Sequence, residues 1–175
     1  MKSIILIITF LLSFSSLAQV TRINIHKGRR TLELVDHKRR VIKTFDIMLG
    51  RSPLGTKIKR GDNKTPEGIY KVDWRNSKSK YRLSLHINYP NKLDLKRSRA
   101  LGVDPGDNIF IHGMPTHLGT ISDIFNSLGI ESGTDMVNYA LSFMDWTRGC
   151  IALSNSDIEE VWKLTPNGAQ VVIYP

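Results

Sequence analysis

The sequence has one cysteine, Cys150, in 175 residues, so it can form no internal disulfide and holds no CxxC half of a zinc site. His112 and His117 are five apart, which suits neither a helical ligand pair nor finger spacing. There is no glycine-rich phosphate loop, and no serine stands in a GxSxG setting. Beyond residue 18, no apolar run approaches membrane-spanning length. Repeats, low-complexity tracts and second-domain linkers are also lacking. These absences argue against metal-centred, nucleotide-dependent and serine-elbow chemistry, and the sequence calls for no metal and no cofactor.

The first residues resemble a secretory signal. Lys2 supplies the positive end, Ile4 to Phe14 is apolar except for Thr9 and Ser13, and Ser16-Leu17-Ala18 offers small residues for cleavage before Gln19. The rival reading is an uncleaved N-terminal anchor. Cleavage leaves residues 19–175, one domain with enough chain for a real core. Only Lys2 among the charged residues is lost, so a net charge of +9 becomes +8. The chain is expected to be periplasmic or otherwise exported, with no membrane attachment once mature.

Basic residues fall in short clusters: Lys27-Gly28-Arg29-Arg30, Lys38-Arg39-Arg40, Lys57 to Arg60, Lys78 to Arg82 and Lys96 to Arg99. The first two read as solvated hairpin tips. Together the clusters would draw an anionic partner through a long-range field. Nucleic acid fits poorly, because the chain is read as exported and carries no aromatic-studded recognition motif. An anionic cell-surface polymer fits better. Nothing such as a heptad argues for assembly, so a monomer is favoured.

From Val20 to Leu49 the pattern is three strands with turns at Lys27-Gly28-Arg29 and Asp36-His37-Lys38. Gly50 to Gly68 is a long polar loop, of the kind that is often functional. Strands follow over Gly68 to Trp74 and Arg82 to Tyr89, then a short helix over Asn91 to Leu101. Asn108 to Ile111 is an apolar strand that delivers His112 at its end. Ile121 to Leu128 and Met136 to Phe143 have helical spacing, separated by Gly129 to Gly133. Ser156 and Glu159 match a capping box for a last helix running to about Leu164, before Pro166. Ala169 to Tyr174 closes as a buried strand. The fold class is mainly β with a few helices.

The surroundings of Cys150 (Asp145-Trp146-Thr147-Arg148-Gly149-Cys150) suit a presented thiol. Arg148 would favour thiolate, and Gly149 would let backbone N–H groups approach a reacting carbonyl. The competing reading is a small hydrophobe packed ahead of Ile151 and Leu153. A nucleophile needs a base. His26 and His37 lie in or beside the first hairpins, and His117 looks like a loop residue. His86 either lines a pocket or satisfies a core hydrogen bond. His112 ends an apolar strand before Gly113, which suits a side chain projecting into a cleft, or one merely bonded to a nearby carbonyl.

Thr65-Pro66-Glu67-Gly68-x-Tyr70, Ile111-His112-Gly113 and Thr147-Arg148-Gly149-Cys150-Ile151-Ala152-Leu153, in that order, resemble the L,D-transpeptidase catalytic domain of bacterial cell-wall enzymes. The resemblance implies a β-sandwich-like domain that acts on peptidoglycan stem peptides. Cys150 would attack the carbonyl joining an L-centred diamino acid to D-alanine. His112 would be the base, the Gly113 carbonyl would orient its ring, and the Gly149 and Cys150 N–H groups would stabilise the oxyanion. Thr147, Arg148, Trp146 and His86 are the residues expected on the substrate side. The acyl group would pass to an amine. Two alternatives stand beside this: hydrolysis at the same site, as an L,D-carboxypeptidase or cross-link-cleaving amidase, and a non-catalytic wall-binding module.

Two departures from the family pattern matter. Arg148 stands where many similar sequences carry histidine, which leaves more weight on His112; it either grips a stem carboxylate or is simply exposed. The 38 residues from His112 to Cys150 are a long interval for the family, so Met114 to Met144 is read as a two-helix insertion, residues 114–144, shaping substrate choice beside the site.

Overall fold

Alternation of apolar and polar residues at the start of the chain produces half-buried strands, and the rest of the sheet grows from them. The computed structural model describes residues 19–117, 128 and 133–175. In chain order the elements are β1 (Val20–His26), β2 (Thr31–Asp36), β3 (Val41–Asp46), β4 (Gly68–Ser79), β5 (Arg82–Ile87), α1 (Lys92–Ala100), β6 (Ile109–His112), α2 (Gly133–Leu141), β7 (Ile151–Ala152), α3 (Asn155–Leu164) and β8 (Gln170–Tyr174). The signal-like residues 1–18 and the helix expected over Ile121 to Leu128 lie outside the described residues, Leu128 excepted.

The strands form one sheet in the order β3-β2-β1-β8-β4-β5-β6-β7. The chain's last strand thus enters the middle, parallel to β1 and antiparallel to β4. The sheet curls until its two ends meet: beyond β3, Met48 bridges Ala152 of β7 and Gly50 bridges Thr147. Closing the ends covers backbone groups that an open edge would expose. The mainly β class expected from the sequence is what the chain adopts.

Ile23, Ile25, Leu32, Leu34, Val72, Leu85, Ile87, Ile111, Ile151 and Val171 fill the interior, with Ile158 and Val161 of α3 packed onto them. Each such side chain contributes about 1.5–3 kcal/mol relative to exposure. A smaller cluster of Met48, Met114 and Ala152, with Leu141 and Trp146 against it, lies beneath the segment leading to Cys150.

Several expectations need correction. Strand β4 runs on to Ser79, because the polar residues after Trp74 continue to pair with β5 through two register shifts. The third strand ends at Asp46 rather than Leu49, where the chain turns to bridge β7. Helix α2 begins at Gly133 and ends at Leu141, three and two residues earlier than the Met136 to Phe143 spacing suggested. The cap of α3 is Ser154, whose Oγ accepts from the Asp157 N–H at 3.1 Å. Ser156 is already inside that helix, and Glu159 pairs with Arg82 instead of closing a capping box. Helix α1 does carry a capping box, from Asn91 and Asp94.

Lys27 is no solvated tip. It is 2% exposed and donates to the carbonyls of Gly55 and Thr65 and to the Glu67 carboxylate at 2.7 Å. Lys57 is similarly buried and paired with Asp62 at 2.9 Å. A buried ammonium needs such partners to offset its desolvation. Both lysines brace the loop between β3 and β4, and that loop passes directly behind Gly149.

Candidate active site

Strand β7 lies parallel to β6, with Ile111 level with Ile151 and His112 with Ala152. Carried back one residue, this register sets Cys150 level with Phe110. Side chains alternate between sheet faces, so Phe110 and His112 share a face, and Cys150 joins them. All three line a groove of about 730 Å³, together with Trp146, Thr147, Arg148, Tyr81, Lys80 and Arg51.

The His112 imidazole is 4% exposed, and its Nδ1–H donates to the Gly113 carbonyl at 2.7 Å. A carbonyl can only accept, so the proton is on Nδ1 and the Nε2 lone pair is left for another group. Burial pushes the imidazole down to about 4, with the Gly113 carbonyl opposing weakly. Tyr81 lies against the ring at a centroid distance of 4.5 Å, and Trp146 meets it edge-on at 5.7 Å. The β4–β5 hairpin carrying Tyr81 is pinned by the chain after β6: Gly113 N–H donates to Tyr81 O at 3.0 Å and Thr116 N–H to Lys80 O at 2.9 Å. Gly113 itself has no room for a side chain, since a Cβ would stand 2.8 Å from Asn155 Oδ1 and from Ile158 Cγ2.

Cys150 follows a tight turn organised by Thr147. The Thr147 hydroxyl donates to the Cys150 carbonyl at 2.7 Å and accepts from the Gly149 N–H at 3.1 Å. Thr147 therefore shapes the turn from within, and its hydroxyl faces inward rather than toward a ligand. Gly149 has φ +127°, and a Cβ there would lie 2.6 Å from the Lys64 carbonyl. Its N–H donates to the Thr147 hydroxyl, a bond that an oxyanion would have to share or displace. Burial pushes the Cys150 thiol up from its ordinary value; a backbone bond from Phe110 and the charge of Lys57 oppose that. The cation acting on the sulfur is thus Lys57, not the neighbouring Arg148 expected to fill that place.

Arg148 is exposed at the groove's rim. Trp146 lines the groove, half-buried, and the Asp145 before it anchors the segment: its carboxylate accepts from Arg30 and, at 2.7 Å, from the Leu49 N–H. His86 is elsewhere. It is held 2.6 Å from Asp73 and packed between Trp74 and Phe110, reaching the groove only through the Phe110 ring. Sequence reasoning missed Phe110, Tyr81, Lys80, Arg51 and Lys57. The i, i+2 spacing of Phe110 and His112 was a usable signal, whereas the others arrive from the distant β4–β5 turn and loop. Among the described residues no three His, Cys, Asp or Glu side chains are grouped to hold a metal ion.

Residues 20–173 match the family model for the L,D-transpeptidase catalytic domain (YkuD). The Escherichia coli (strain K12) protein named "Putative L,D-transpeptidase YafK" is 32% identical over 126 residues, 69% of this chain and 48% of that protein. The chain thus spans about half the length of that curated relative. Among solved structures, the helical cell shape determining protein Pgp2 of Campylobacter jejuni aligns with a TM-score of 0.60 at 25% identity, over 88% of this chain and 47% of that one. Bd1075 of Bdellovibrio bacteriovorus aligns at 0.56 and 22%, over 89% and 48%, a likeness of fold. With its cysteine and histidine brought into one groove on this fold, the chain belongs to the L,D-transpeptidase catalytic-domain family.

Proposed function

We propose that the protein is an exported cysteine acyltransferase that cleaves the bond between an L-centred diamino acid and D-alanine in peptidoglycan stem peptides, then passes the acyl group to an amine. The observation that carries this is the pairing of Cys150 and His112 in one groove, with His112 Nδ1–H held by the Gly113 carbonyl. Its Nε2 is the base.

As Sγ attacks the carbonyl carbon, the thiol proton passes to Nε2. With the Gly149 N–H held by Thr147, the Cys150 N–H is the donor assigned to the developing oxyanion. Collapse of the intermediate breaks the C–N bond, and His112 gives its proton to the departing D-alanine amine. Arg51, Lys80 and Arg148 line this groove, and among the described residues no carboxylate does, which suits a donor peptide rich in carboxylates. Hydrolysis would use the same acyl-enzyme with water as acceptor.

Intact-mass measurement after mixing with a tetrapeptide stem or a carbapenem tests the reading. A covalent adduct that Cys150→Ala abolishes is expected. An unmodified wild-type protein under these conditions would leave a wall-binding module as the better account.

A further inference from the structure

The row of side chains that holds Cys150 runs on past the groove. Cys150 is level with Phe110 of β6, Phe110 pairs with His86 of β5, and His86 pairs with Trp74 of β4. Neighbouring strands lie about 4.8 Å apart, so Trp74 stands three strand spacings from the thiol, about 14 Å, on the same face. Its indole is held from two sides. Asp73 fixes the His86 ring at 2.6 Å, and His86 stacks on Trp74 with centroids 5.3 Å and planes 24° apart. Phe110 meets the indole edge-on at 5.4 Å and 88°. Even so, Trp74 is 43% exposed. A lone exposed aromatic needs no explanation, but a braced one at the end of a reactive groove offers a ligand a surface. Asn76, two residues along the same face of β4, lines the groove with Ser79 and Ser84 and adds an amide and hydroxyls.

We infer that Trp74, backed by His86 and flanked by Phe110, is a glycan subsite that stacks an amino-sugar ring of the strand carrying the donor stem. The inference rests on the acyl-transfer reading above and extends it from the stem to the sugar. A pyranose suits this surface: its axial C–H bonds pack on the negative face of the indole, while its hydroxyl and acetamido groups stay at the edge, within reach of neutral hydrogen-bonding side chains. The distances agree. In the donor the sugar precedes the scissile carbonyl by three residues and a lactyl linker. Three extended residues span about 11 Å, and the linker covers the rest. Because the indole is already immobilised, little freedom is lost when a sugar stacks on it, and the contact favours glycan-borne stems over free peptides.

The test compares two donors on one protein: free tetrapeptide stem, and the same stem on its N-acetylglucosaminyl-N-acetylmuramyl disaccharide. The readout is the ratio of their kcat/KM values for D-alanine release, and a ratio cancels any loss of folded protein. The wild type is expected to prefer the disaccharide donor about tenfold. Trp74→Phe should keep most of that preference through its remaining ring face, and Trp74→Ala should bring the ratio close to one. Equal reactivity of both donors with the wild type overturns the inference and leaves the acylation reading standing. So does a Trp74→Ala ratio within about twofold of the wild type, or a Trp74→Phe protein as indiscriminate as Trp74→Ala. Release from neither donor removes both.

Discussion

The Asn155 side-chain carbonyl accepts the Met114 N–H at 2.9 Å, one residue beyond the carbonyl that orients His112. The first residue of α3 therefore fixes the backbone that orients His112, the proposed base. Asn155→Ala would leave the Met114 N–H buried and unpaired, at a cost of about 1–3 kcal/mol. Loss of ring orientation should appear in kcat, by about tenfold, with KM for the stem peptide little changed. An equal rise in KM with kcat unchanged would assign Asn155 to binding instead.

Burial of His112 sets the acid behaviour. In the unfolded chain the imidazole takes a proton near 6.5; in the folded protein it does so only near 4. The unfolded state binds more protons between these values, so stability rises with pH across that window. The contribution is complete above 6.5 and is lost as pH falls toward 4, amounting to about 3 kcal/mol. Urea titrations between pH 4 and 7 should show this slope in the wild type and a flatter one in His112→Phe. The acid limb of kcat/KM should lie near 4 as well, since the base stays neutral down to that point.

The thiol is raised, and the imidazole beside it is neutral. Both directions favour a resting thiol with a neutral imidazole over a preformed ion pair. Iodoacetamide should alkylate Cys150 slowly at pH 7, at a rate that keeps rising beyond the ordinary thiol range. A plateau in that rate below pH 7 would show a preformed thiolate.

Much of this arrangement was legible in the sequence. Alternation placed β1, β-forming or apolar runs placed β2, β5 and β6, and the His112-Gly113 and Gly149-Cys150 pairs carried the residues proposed as base and nucleophile. What escaped came from long-range placement. Ser154 rather than Ser156 caps α3 because the cap is decided by where β7 releases the chain, and two serines two apart offer local sequence no choice. Lys27 reads as a turn residue, yet curling of the sheet buries it under a loop some forty residues away. Tyr81 carries no motif, and only the pinned hairpin brings its ring onto His112.

Gly149 joins both requirements that its motif hides, left-handed backbone and close approach. Gly149→Ala must move the Lys64 carbonyl and strain φ, at a cost of about 1–3 kcal/mol or more. Acylation should fall by at least a hundredfold while the far-UV spectrum remains that of a folded β protein. Normal acylation in a folded Gly149→Ala protein would mean that the turn has room the structure does not give it.

Lys27 and Glu67 offer a test remote from the chemistry. Removing one partner leaves a buried charge, so Lys27→Met should cost about 2–3 kcal/mol, less than a fully enclosed pair because Glu67 is 21% exposed. Glu67→Gln in that background removes the orphaned charge and should recover much of the loss. The braced loop backs Gly149 through the Lys64 carbonyl, so the single variant should also acylate more slowly than the double. Denaturant midpoints and acylation rates across the four-protein cycle measure both effects, and additive stabilities would show that the two side chains do not act as a pair.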